Sequence, residues 1–159
     1  MSVLKRDKDS IHIHQVEIAE NFKDSKPSTV NQVYWIYAKR EKGKYPKPTG
    51  SSGKWLIYVS SEDVDKVWDK IKKATEAGKL GGSSKVATAK AKANPNSTSK
   101  VKVICVYTYN WQDEVDVRRV REQLRKLGIE NKISYKADED TMLGKYSYNT
   151  KGRISKYYE

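Results

Sequence analysis

The chain has 159 residues, 36% hydrophobic and 33% charged, with 32 Lys and Arg against 20 Asp and Glu and a net charge of +12. That length suits one domain with a substantial core, and the basic balance points towards a polyanionic partner such as RNA. The lone Cys105, inside the apolar run "VKVICVYTY", excludes a disulfide framework and reads as core packing. The sequence reads as having neither a signal peptide nor an apolar run of membrane-spanning length, so a soluble cytoplasmic protein is expected, with the nucleus as the alternative and no membrane partner.

Residues 1–30 read as an N-terminal extension that is partly strand, because "SIHIHQVEI" alternates apolar and polar residues. His12 and His14 share one face of that strand, but no third ligand is placed by spacing, so no metal is expected. The rest, residues 31–159, reads as a single domain. "VYWIYAKR" (33–40) is aromatic and β-branched, hence a strand, and "EKGKYPKPTGSSG" (41–53) is a flexible cationic loop.

"KWLIYVS" (54–60) predicts a buried strand, followed by a helix capped by Ser60 or Ser61. Glu62 and Asp63 fall in its first turn, where the dipole favours carboxylates, and Val64, Val67, Trp68, Ile71 and Ala74 make its apolar face. Gly78 ends it. Residues 79–100 predict a long, acid-free lysine loop. Its "GKLGGSSK" start follows a helix instead of opening one, which argues against a phosphate loop of the nucleoside-triphosphatase type.

"VKVICVYTY" (101–109) predicts the most buried strand, and a helix from "NWQDE" to about Leu127 carries Val117, Val120, Leu124 and Leu127 inward. Arg118, Arg121 and Arg125 recur at i, i+3 and i+7 on its flank, either as a solvated face with Glu122 or as a stripe that tracks phosphates. "KISYK" (132–136) and the Tyr-rich "KYSYN" and "RISKYY" complete the strands. Between them "ADEDT" holds Asp138, Glu139 and Asp140, and its composition is that of a turn. It is too polar to raise a carboxyl pKa by burial and lacks the ligand spacing of an EF-hand. Strands outnumber helices, which predicts an α+β fold with a largely antiparallel sheet.

The stretch "GKWLIYVSSEDVDKVWDKIKKATEAG" (53–78) resembles the cap-binding translation initiation factor family. The order of "KVATAKAK", "VICVYT", "VRRVREQLRKLGI", "ISYK" and "DEDT" continues that resemblance over residues 33–147. The segments "DKVWDKI", "GKLG", "KVAT", "VYTYNW", "DVRRV", "LRKLGI", "YKADEDT" and "GKYS" are similar to the basophilic-leukaemia-expressed protein family, which shares that fold. The resemblance implies a curved sheet backed by two main helices, with no reaction assigned.

It also implies a stacking role for Tyr45 and phosphate contacts for Lys90 and Lys92, with Lys85 nearby. The family's second stacking Trp, followed by Glu, has no counterpart between Pro46 and Gly53, so cap specificity does not carry over. The expectation is a non-enzymatic RNA- or nucleotide-binding protein without a cofactor, using Tyr45, Lys54, Lys85, Lys90, Lys92, Arg118, Arg121 and Lys136. The alternatives are a phosphate-directed enzyme and a scaffold that engages a phosphorylated protein partner.

Overall fold

The computed structural model of the chain describes residues 21–90, 100–144 and 155–159. Six strands build one sheet: β1 (Trp35–Lys39), β2 (Gly53–Ser60), β3 (Ser83–Ala87), β4 (Val101–Thr108), β5 (Ser134–Ala137) and β6 (Ser155–Tyr158). Their spatial order is β1-β3-β4-β2-β5-β6, with every neighbouring pair antiparallel. The longest ladder pairs β2 with β4 from Gly53↔Thr108 to Ser60↔Val101, joining the two most β-branched runs of the chain.

Helix α1 (Val64–Glu76) buries Val64, Trp68, Ile71 and Ala74 at helical spacing. Asp63 occupies its N-cap position, later than the serines the sequence suggests, although Ser60 Oγ still accepts from the Asp63 amide at 3.2 Å. Gly78 leaves the helix at φ 77°, a conformation that costs glycine little. Helix α2 (Glu114–Lys126) is capped by the Asp113 side chain, which accepts from the Asp116 amide at 3.1 Å. Its Val117, Val120 and Leu124 join the same core as Trp55, Ile57, Ile104, Val106 and Tyr135. Both helices therefore back one face of a curved sheet, as the sequence predicts.

Three sequence expectations are corrected here. The supposed loop over 79–100 contains strand β3, whose Ser84 and Val86 turn into the core while Lys85 faces the other way. Its five residues include two serines, so it is held by pairing with β1 and β4 more than by intrinsic propensity. The acidic "turn" forms a short helix α3 (Asp138–Met142). The loop between β1 and β2 is fastened by Arg40, which donates to the carbonyls of Gly81 at 3.1 Å and Leu80 at 2.7 Å, and Gly53 already belongs to β2.

Within residues 21–30, Val30 is 3% exposed in the core and Lys72 on α1 pairs with Asp24 at 2.6 Å. His12, His14, "SIHIHQVEI", Lys92 and "KYSYN" lie outside the described residues.

Candidate anion-binding face

Because side chains alternate along a strand, the residues between the core positions form a second face that α1 and α2 do not cover. Two rows cross it. The first runs Tyr37, Lys85, Cys105, Leu56, Ser134 and Tyr158, each opposite the next. The second places Lys54 between Tyr107 on one side and Lys136 on the other. Trp35 and Leu56 pack with Tyr107 around Ala87, Val103 and Cys105, so the floor is apolar.

Lys54 and Lys136 are each only 6% exposed and stand directly opposite on antiparallel strands, an arrangement that like charges destabilise. Helix α3 moderates it. Lys54 Nζ donates to Asp138 Oδ1 at 2.8 Å and to Thr141 Oγ1 at 2.7 Å, one helical turn apart. Ser52 Oγ donates to the other Asp138 oxygen at 2.8 Å and fixes the carboxylate. Asp138 is therefore the counter-ion of a buried lysine, a role its composition does not reveal.

Lys85 Nζ lies 3.9 Å from the centre of the Trp35 ring and 5.8 Å from that of Tyr107. Among the described residues no carboxylate pairs with it. Burial holds the Lys85 ammonium below the usual lysine range, and the charge of Lys54 pushes the same way. Lys136 is lowered for the same two reasons in the same order, against an opposing pull from Asp140. Burial pushes the Cys105 thiol up to about 11, while Lys85, Lys54 and Lys136 oppose the rise. Burial also raises the Tyr37 and Tyr107 hydroxyls. The face is a poorly hydrated basin with converging cations.

Of the residues expected from sequence, Lys54, Lys85 and Lys136 meet here and the others do not. Tyr45 is half-buried and its hydroxyl donates to Asp116 Oδ2 at 2.5 Å while accepting from the Tyr109 amide at 3.2 Å. Its ring meets Tyr109 edge-on at 5.5 Å and carries the Arg40 guanidinium at 4.7 Å, so it braces a loop against α2 instead of offering a stacking surface.

Arg121 is 1% exposed and donates to the carbonyls of Glu159 at 2.8 Å, Ile129 at 2.9 Å and Asn131 at 2.8 Å, which removes it from any phosphate stripe. Arg118 is exposed and pairs with Glu114 at 3.5 Å and Glu159 at 3.3 Å, on a helix packed against the opposite face. Lys90 sits over the Tyr34 ring at 4.4 Å, beyond the end of β3.

The aromatic members missed by the sequence reading, Trp35, Tyr37 and Tyr107, were visible as the outward positions of two strands. Tyr37 is 44% exposed beside Lys85, so its ring is more open to solvent than that of Tyr45.

The sequence profile of the basophilic leukemia-expressed protein Bles03 family matches residues 46–144. The chain belongs to this family. Its fold is similar to that of eIF4E from a schistosome, crystallised with m7GpppA and 4E-BP, at 15% identity and a TM-score of 0.50. That alignment covers 69% of this chain and 59% of that one, so the chain spans well under two thirds of the length of that relative. Ascaris suum eIF4E-3, crystallised with an m2,2,7G cap, aligns at 15% identity and a TM-score of 0.52, over 90% of this chain and 79% of that one. At this identity the likeness establishes the fold, and it agrees with the resemblance read from the sequence.

Proposed function

We propose that this member of the Bles03 family is a non-enzymatic binder of phosphorylated nucleotides or short single-stranded RNA, and that the ligand lies on the face of the sheet opposite α1 and α2. The observation that carries the reading is the buried Lys54–Lys136 pair, set directly opposite across β2 and β5 with Lys85 on the same face. A phosphate placed among these ammonium groups relieves their repulsion and gains from the low local dielectric. Tyr37 beside Lys85 supplies a ring on which a base can stack. The reading requires no methylated guanine.

The test is fluorescence anisotropy with a labelled oligoribonucleotide over a salt series. Each phosphate contact on a single strand contributes about 0.7 to the slope of log affinity against log salt, so Lys54→Met, Lys85→Met and Lys136→Met combined should lower it by roughly 2. Tyr37→Ala should weaken binding by about 1–3 kcal/mol and leave the slope unchanged, because stacking is uncharged. Unaltered affinity and slope in the triple variant would sink the proposal.

A further inference from the structure

A pocket of about 220 Å³ opens on the helix-covered side, at the start of α1, lined by residues that include Ser28, Ser61, Val64, Thr88, Ala89 and Lys102. Lys102 pairs with Val59 across β4 and β2, two residues before the core residue Ile104 and on the same face, and is only 7% exposed. Unlike Lys54, it has neither an ion pair nor a hydrogen bond from its ammonium among the described residues. A lysine that lines this pocket with no such partner among the described residues is available to an anion that enters there.

The same pocket receives the beginning of a 13-residue helix whose N-cap side chain makes no capping bond. The first-turn amides of Val64, Asp65 and Lys66 are therefore left as donors at the positive end of the helix dipole. Of the carboxylates at this helix start, Asp63 and Asp65 are already engaged. Asp65 accepts from the Ser28 amide at 2.9 Å and from the Ser28 hydroxyl, and Asp63 accepts from the Ser60 hydroxyl at 3.1 Å.

From the buried lysine and the uncapped amides together we infer a second ligand site, one that holds a single phosphate group between Lys102 and the N-terminus of α1. The volume lies below the roughly 300–1,000 Å³ of pockets for drug-sized ligands, so the group is inorganic phosphate or a small phosphomonoester. The site is separate from the nucleotide-binding face, since Lys102 and Lys54 turn to opposite sides of the sheet.

The experiment is an amide NMR titration of the full chain with inorganic phosphate at constant ionic strength, repeated with phosphoethanolamine. Saturable shifts are expected at Ser61, Val64, Asp65 and Lys66. They should persist in the Lys54→Met, Lys85→Met, Lys136→Met variant, which separates this site from the other face. Lys102→Met should weaken phosphate by about tenfold or more, and Lys102→Arg should retain it. Tighter binding of phosphoethanolamine assigns the site to a monoester; equal or weaker binding assigns it to inorganic phosphate. No saturable response at these amides in the wild-type chain, or the same affinity after Lys102→Met, overturns the inference.

Discussion

The two faces of this sheet are made from alternate residues of the same strands, yet the buried arginine of one and the buried lysine pair of the other are held in different ways. On the helix-covered side Arg121 sits beside Trp55 and spends its guanidinium on three backbone carbonyls. On the side opposite α1 and α2, Lys54 and Lys136 oppose one another, and Lys85 rests on aromatic rings. A cation whose donors are taken up by carbonyls organises the fold. Two lysines buried side by side repel one another even where Asp138 and Thr141 take up one of them, and the proposed ligand acts on that repulsion. Burial alone does not tell a structural charge from a binding charge; the partners do.

The covered face should be the more fragile. Trp68 is 2% exposed and packs in the main core, so Trp68→Ala should cost about 3–5 kcal/mol in urea unfolding. Its buried indole N–H has no hydrogen-bond partner among the described residues, so Trp68→Phe should cost far less. A loss for Trp68→Ala within experimental noise would mean that this face is not the core.

Arg121→Ala comes next. Losing a charged donor to three carbonyls should cost about 2–4 kcal/mol, and the salt slope of RNA binding should not change. A flatter slope with intact stability would return Arg121 to the binding surface and erase the contrast between the faces.

The helices and the β2 and β4 strands were legible because their apolar residues recur over eight or more positions. Strand β3 was not, since "SSKVA" carries a single β-branched residue and depends on neighbours distant in sequence. The site divides in the same way. Alternation on β2, β4 and β5 sorts Lys54, Cys105 and Lys136 from Trp55, Ile104 and Tyr135, but it does not say which set the helices cover. Arg121 looked like a surface residue because two of its partners, the carbonyls of Ile129 and Asn131, follow the helix end and the third belongs to Glu159. Tyr45 was misread for the same reason: its anchor is Asp116, 71 residues away.

A smaller effect is expected from the counter-ion of Lys54. Asp138 has a side chain 27% exposed, and Asp138→Asn leaves Lys54 and Lys136 facing each other with less compensation. Stability at low salt should fall by about 1–3 kcal/mol. Added oligoribonucleotide should restore more stability in this variant than in the wild type, because the ligand then replaces the missing carboxylate. Loss without rescue would make Lys54–Asp138 a structural ion pair and nothing more.

The smallest expected effect is a pH dependence centred on Cys105. Its thiol moves from an ordinary 9.0 to about 11 because the face is poorly hydrated. A folded-state pKa above the unfolded value adds stability that is fully present below pH 9.0 and is lost as the pH rises through about 11. Wild type should therefore lose stability across that window faster than Cys105→Ala. Lys85 has the opposite sign: its folded pKa lies below the usual 10.5, so the unfolded chain holds more protons there and stability rises with pH through that interval. Lys85→Met should remove this rise. It should also extend the Cys105 loss to higher pH, with its onset near 9.0 unchanged, because Lys85 is the first of the lysines that favour the thiolate. Urea unfolding of the three proteins across alkaline pH reads both effects. Parallel curves for wild type and Cys105→Ala would show that water reaches the face opposite α1 and α2 freely, and the lysines there would then be ordinary surface charges.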